Sequence, residues 1–255
     1  VVCMGTPGAR EIATAKSNEH CCSMEYRASC IICRLASICL PIALEASEVN
    51  RLDSIIERSK PLHKGEYAFR EGQPFTSVFA LRSGALKAFA ITGDGKEQVT
   101  GFYFPGELFG VDGIAQNRHA ISVKALETSA VCEIPFAQLE SLSATLPSLQ
   151  RHVFRLMSRE ITQDQQLITL LSRNSAERRV AALLINLSQR NAKLQRSATA
   201  FRLPMSRTDI GNYLGLTVET VSRIFSRFQK SRLLAVEKKE IRLLDVPALE
   251  ALASD

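Results

Sequence analysis

Between Pro147 and Arg173 the chain reads PSLQRHVFRLMSREITQDQQLITLLSR. Phe154, Met157, Ile161, Asp164, Ile168 and Leu171 recur there at intervals of 3, 4, 3, 4 and 3. That is the a/d seam of a heptad repeat on a helix of about seven turns. Val153, Leu156, Leu167 and Leu170 form a second apolar strip beside it. A helix with two apolar strips serves two partners. One strip packs on its own domain, and the seam is read as a subunit interface. The competing reading buries both strips in an internal core. Asp164 is the odd member of the seam. In a symmetric pair its carboxylate faces its twin, and two carboxylates in a half-dry interface repel. The seam therefore predicts a homodimer that associates weakly, unless Asp164 simply rotates to solvent.

Ahead of this helix, residues 62–134 carry glycines at 65, 72, 84, 93, 95, 101, 106, 110 and 113. The segments between them, such as SVFALRSG, LKAFAIT and QVTGFYF, predict a sandwich or barrel of short strands. Residues 47–58 predict a short helix capped by Ser47, with Val49, Leu52, Ile55 and Ile56 on one face and Lys60-Pro61 as its stop. Residues 1–29 show no sustained period and predict a poorly ordered tail. Met24 is a candidate start, which would leave Cys3, Cys21 and Cys22 in a dispensable extension.

Behind the long helix the charge changes. Residues 1–171 hold 17 Lys/Arg against 18 Asp/Glu, and residues 172–255 hold 15 against 8. The whole basic excess sits in the last third, as expected of a module that meets a polyanion. A helix capped by Ser175 opens this part. Then MSRTDIGNYLGLTVETVSRIFSRFQK, 205–230, gives two short helices around Gly215-Leu216, capped by Ser206 and Thr217. Ile210, Tyr213 and Leu214 face inward on the first; Val221, Ile224, Phe225 and Phe228 do so on the second. This is a helix-turn-helix pattern, and the alternating LLAVEKKEIRLLD behind it predicts a wing hairpin. Glu219, Ser222 and Arg223 stand at i, i+3 and i+4 on the outer face, in the turns that reach base edges in a major groove. Arg grips guanine O6 and N7, Glu accepts from the cytosine amino group, and Ser contacts several bases. Arg227 and Lys230 suit phosphate. The competing reading is a small helical domain with a polar surface.

No apolar run approaches the roughly 20 residues of a membrane span, and no secretion signal is visible. A cytoplasmic location is expected. In that reducing compartment, clustered thiols point to metal or redox chemistry. Three of the chain's seven cysteines, Cys30, Cys33 and Cys39, stand in a C-x2-C-x5-C pattern. Zinc ribbons repeat their C-x2-C pair, and this chain has no second one. An iron–sulfur cluster accepts a compact triad and one remote cysteine. Cys132, in SAVCEIPF, is the remote candidate, although a lone cysteine is more often a small buried apolar residue. Ile31, Ile32, Leu35, Ile38, Leu40 and Pro41 are expected to shield such a centre from water.

The triad, ALETSAVCEIPF and DIGNYLGLTVETVSR together resemble the oxygen-sensing fumarate–nitrate reductase regulators of the cyclic-AMP receptor protein superfamily. The similarity spans about Cys30 to Ala253. It implies an α+β chain: an N-terminal double-stranded β-helix (jelly-roll) sensor domain, a long dimerisation helix and a C-terminal winged helix-turn-helix. The implied division is a tail over 1–29, cluster loop and sensor over 30–146, dimer helix over 147–173 and DNA-binding domain over 174–255. Cys30, Cys33, Cys39 and Cys132 would hold a 4Fe–4S cluster, and Ile161 and Asp164 would govern a monomer–dimer switch. Glu219, Ser222 and Arg223 would read a TTGAT-N4-ATCAA-like palindrome. The loop TGDGKEQ, 92–98, would touch RNA polymerase, although Lys96 departs from the acid found there in the family's best-known member. The implied function is an oxygen-responsive transcription regulator that binds DNA without oxygen, and not an enzyme. Two rivals stand beside it. Gly106, Glu107, Arg118 and Ala120 resemble parts of a cyclic-nucleotide pocket, with His119 where a small hydroxyl residue is usual. The other rival is an iron–sulfur electron carrier.

Overall fold

The computed structural model describes residues 29–173 and 175–254. Apart from Ser29, the tail expected over 1–29, with Cys3, Cys21 and Cys22, lies outside the described residues.

The cysteine loop comes first. It winds through two short 3-10 turns, Cys30–Ile32 and Leu40–Ala43, into helix α1 (Ala46–Ser54). The cap of α1 is Glu45, not Ser47. Glu45 and Glu48 exchange backbone and side-chain hydrogen bonds in a capping box. Reciprocal capping by an acid at N-cap and N3 satisfies two orphan amides at once, which a lone serine inside the helix cannot do. The helix also ends before Lys60-Pro61. Ile55 and Ile56 lie beyond its last turn, yet both still pack on the core.

Seven strands follow: β1 (Tyr67–Phe69), β2 (Ser77–Ser83), β3 (Leu86–Ile91), β4 (Glu97–Tyr103), β5 (Leu108–Phe109), β6 (Ser122–Ala125) and β7 (Ala130–Pro135). They pair in two antiparallel sheets, ordered β1-β6-β3-β4 and β5-β2-β7. Phe69, Phe79 and Phe109 stack between the sheets with Leu81, Leu86 and Val123. Non-consecutive neighbours in both sheets make this a jelly-roll rather than a meander. In the smaller sheet Cys132 on β7 lies opposite Ala80 on β2.

Helix α2 (Phe136–Thr145) leads into α3 (Pro147–Arg173), which matches the long helix expected from the heptad pattern. Its two strips behave differently. Val153 and Leu156 pack on a core containing Leu40, Leu52, Ile134 and Leu149, while Leu170 packs on the C-terminal core. Four of the six seam residues instead face outward, while Met157 and Leu171 are half-buried. Phe154, Ile161 and Ile168 are 61%, 59% and 65% exposed, and Asp164 is exposed among them.

The C-terminal unit holds α4 (Ala176–Lys193), β8 (Ala200–Arg202), α5 (Arg207–Leu214), α6 (Val218–Lys230), β9 (Leu234–Glu237), β10 (Glu240–Leu243) and α7 (Val246–Ser254). Its three strands form one sheet, β8-β10-β9, the wing. Gly215 ends α5 in the left-handed region, at φ 64°. Gly211 lets α5 meet the next turn, because a Cβ there would sit 2.6 Å from the Leu216 carbonyl oxygen. These two glycines set the helix-turn-helix angle. The unit leans on β3 and β4. Buried Lys87 donates to Glu97 (2.6 Å) and to Asp209 of α5 (2.9 Å). Tyr213 packs on Phe102, and Arg190 donates to the Phe102 carbonyl at 2.8 Å.

Candidate metal centre and nucleic-acid interface

The fold brings together thiols that lie far apart in sequence. Cys30, Cys33, Cys39 and Cys132 line one cavity between the loop and the β2–β7 sheet. All four are free thiols. The free space among them is about 30 Å³, room for about one water. Among the described residues no three His, Cys, Asp or Glu side chains converge closely enough to hold a metal ion. Burial pushes the Cys30 thiol up to about 12, helped by neighbouring Asp53, and pushes Cys39 up to about 12. Cys132 is raised by burial too, against the pull of Arg58 and Arg82. Metal uptake by such thiols must expel protons.

Three residues that the sequence reading did not single out support this cavity. Asp53 of α1 accepts from the Cys30 backbone N–H at 2.7 Å and pairs with Arg58. The Arg58 Nη2 lies 3.8 Å from the Cys30 sulfur. Arg82 lines the cavity itself, and its buried Nη1 has no hydrogen-bond partner among the described residues. Nothing in local periodicity marks an arginine in a buried strand as functional; only its lack of an acceptor does. Four soft donors, one guanidinium and no carboxylate among the lining residues fit the chemistry of an anionic iron–sulfur group. The shielding expectation holds for buried Leu40 and Pro41. It fails for Ile31 and Ile32, which are 59% and 74% exposed, because the Cys30–Ile32 turn points them outward.

The long helix carries a second set of titratable groups. Tyr103 donates to Glu160 at 2.8 Å. Burial pushes the Glu160 carboxyl up to about 7, helped by nearby Asp164, Asp112 and Glu107. A carboxyl raised on folding stabilises the fold at low pH, and that contribution fades as pH rises through about 7. Stability should fall by on the order of 2 kcal/mol between pH 5 and pH 8 from this group. Urea titrations of wild type and Glu160→Gln should show it: the variant loses less stability over that interval. Parallel pH curves would remove Glu160 from the account.

On α6, Val221, Ile224, Phe225 and Phe228 are buried, as the pattern requires. Glu219, Ser222 and Arg223 are exposed on the opposite face. Thr217 caps the helix by accepting from the Thr220 amide at 3.2 Å. Lys230 is exposed, whereas Arg227 pairs with Glu177 of α4. Arg179 of α4 donates to the Leu171 carbonyl at the end of α3 (2.7 Å) and to the Leu214 carbonyl of α5 (3.0 Å). One guanidinium thus ties the long helix to the helix-turn-helix.

Residues 178–252 match the Crp-like helix-turn-helix domain, and residues 59–145 match the cyclic nucleotide-binding domain. The chain is 53% identical over 227 residues to the transcriptional activator protein anr of Pseudomonas aeruginosa, covering 89% of this chain and 93% of that one. It is 50% identical over 224 residues to the fumarate and nitrate reduction regulatory protein of Salmonella typhimurium, covering 88% and 90%. The chain belongs to the family of the fumarate and nitrate reduction regulatory proteins. The solved structure of FixK2 from Bradyrhizobium japonicum matches it with a TM-score of 0.73 at 28% identity, over 79% of this chain and 98% of that one. In this regulator the residues resembling a cyclic-nucleotide pocket already have protein partners. Glu107 accepts from the Phe104 amide (2.9 Å) and faces Arg190 (3.3 Å). Arg118 donates to the Gly72 carbonyl, and His119 is buried against Phe69 with Asp112 at 3.3 Å. Ile38 of the cysteine loop packs against Gly106, so close that a Cβ there would sit 2.6 Å from its Cδ1.

Proposed function

We propose that this chain is an oxygen-responsive transcription activator of the cytoplasm, in which a 4Fe–4S cluster on Cys30, Cys33, Cys39 and Cys132 promotes dimerisation and operator binding. The observation that carries the reading is the meeting of these four thiols, from a loop and a distant strand, in one cavity lined by an arginine whose buried Nη1 has no acceptor among the described residues. When bound, the cluster supplies an oxygen-labile tie among the four thiolates. The protein does the rest. Leu40, next to Cys39, is 1% exposed and shares a core with Leu149, Val153 and Leu156 of α3. Fixing Cys39 therefore fixes the inner strip of α3 and steadies the outer seam of Phe154, Met157, Ile161, Asp164, Ile168 and Leu171. That offsets repulsion at Asp164, whose carboxyl partial desolvation already holds above the usual aspartate range. A shift of a few kcal/mol is enough to move a marginal monomer–dimer equilibrium.

In the dimer two α6 helices meet half-sites about one helical turn apart. Glu219, Ser222 and Arg223 read bases of a TTGAT-N4-ATCAA-like palindrome, and Lys230 and Arg227 contact phosphate, Arg227 after leaving Glu177. The exposed part of the 92–98 loop, where Lys96 pairs with Asp94, faces RNA polymerase. Arg223→Ala should cost about 1–3 kcal/mol of discrimination at one base pair. Competition binding against single-base operator variants measures this; an equal loss on random DNA would make Arg223 a phosphate contact. The match to a cyclic nucleotide-binding domain supports a second reading, a nucleotide-gated regulator. The engagement of Glu107 by Arg190 weighs against it, and calorimetry with cyclic nucleotides decides between the two.

A further inference from the structure

Cysteines that bind metal do so as thiolates, so the proposed centre concentrates negative charge in a buried place. Arg82 lines the cavity where that charge would gather. Strand β2 is buried over its first five positions, SVFAL, and Arg82 follows directly. The pairing of β2 with β7 slips between Leu81 and Ser83, which leaves Arg82 as the extra residue of a bulge. A bulge gives up one ladder step and re-aims one side chain. Here the side chain lines the thiol cavity together with Ala80 and its cross-strand partner Cys132. Arg58, the other guanidinium near the thiols, has Asp53 as counter-ion. Arg82 has no such partner: its Nη1 is buried and finds no acceptor among the described residues. A buried N–H of a charged group without an acceptor is costly, and a fold retains it where an acceptor arrives later.

Resting on the cluster reading above, we propose that Arg82 is a positioning residue of the sulfur centre. It donates to the sulfur-rich anion formed when Cys30, Cys33, Cys39 and Cys132 close on iron, and it offsets that anion's charge. The bulge at Arg82 is then part of the site and not an irregularity of the sheet. The role has an opposite sign in the two forms of the protein. Without metal, half-buried Arg82 keeps a buried Nη1 with no acceptor among the described residues, at a cost to the fold. With metal, it holds the centre together.

The test uses the full chain, metal-free and loaded with ferrous iron and sulfide under argon, as wild type, Arg82→Met and Arg82→Lys. Metal-free Arg82→Met should melt at the same temperature as wild type or higher, because it sheds that buried N–H without an acceptor. Loaded Arg82→Met should release iron to a strong chelator roughly tenfold faster than wild type, the loss expected for one charge-assisted hydrogen bond. Its visible absorption should also shift, and Arg82→Lys should restore most of the retention. Equal iron release from loaded wild type and Arg82→Met would overturn the role of Arg82 and leave the cluster reading standing. So would a lower melting temperature of metal-free Arg82→Met, the mark of a structural arginine. A wild type that takes up no iron and sulfide would overturn the cluster reading and the role of Arg82 together.

Discussion

Ile161→Glu is expected to abolish operator binding while leaving the monomer folded. Ile161 stands at the middle of the exposed stripe, 59% accessible, between Phe154 and Ile168. In the monomer the change replaces an apolar surface residue with a solvated one, an alteration usually worth less than about 0.5 kcal/mol. In a dimer the same change acts twice. Each copy forfeits about 1.5–3 kcal/mol of isoleucine burial, and two further carboxylates come to lie near the paired Asp164 side chains. A loss of several kcal/mol weakens association by at least about a thousandfold. Sedimentation velocity under argon should show a loaded monomer with an unchanged melting temperature, and gel shifts should show no specific complex. A variant that still dimerises would move the interface off this seam. A variant that unfolds would place Ile161 in a core.

Cys132→Ala has the second large effect, and of a different kind. If Cys132 is only a small apolar residue on β7, losing its sulfur costs about 1 kcal/mol and nothing else. If it is the fourth ligand, the loaded protein should fall to a small fraction of the iron and sulfide content of wild type. DNA affinity under argon should then drop to the value wild type shows in air. Its neighbours argue for the second outcome, since Cys132 faces the same cavity as Cys30, Cys33 and Cys39. Iron and sulfide analysis of anaerobically purified protein settles it, with the melting temperature of the metal-free form as the control. Full cluster content in Cys132→Ala would exclude it as a ligand.

Much of the architecture was legible from local pattern alone. The seam of α3 shows in its spacing, and Ser206, Thr217 and Gly215 mark the helix-turn-helix because capping and the left-handed turn need those residue types. Ser47 misled because the capping signal is ambiguous where acids flank a serine: Glu45 and Glu48 form a reciprocal pair that Ser47 cannot match. Ile31 and Ile32 misled for another reason. Hydrophobicity says that a side chain gains from burial, not that a short 3-10 turn lets it reach the core. The support around the thiols was not legible at all. Asp53, Arg58 and Arg82 come from α1, the chain after it and β2, and only the folded chain brings them to Cys30 and Cys132. The contacts of Lys87 with Asp209, and of Arg190 with Glu107, join residues 122 and 83 positions apart, a separation no window of sequence covers.

The central claim is that a sulfur-held iron centre controls whether two copies of this chain pair on DNA. Sedimentation of the full chain with a fluorescent palindromic duplex, before and after air is admitted to a sample prepared under argon, tests it most directly. The expected result is a coloured dimer–duplex complex under argon that becomes free monomer and free duplex in air, in step with the loss of visible absorption. A colourless, iron-free preparation that binds the same duplex equally well under argon and in air would contradict the account.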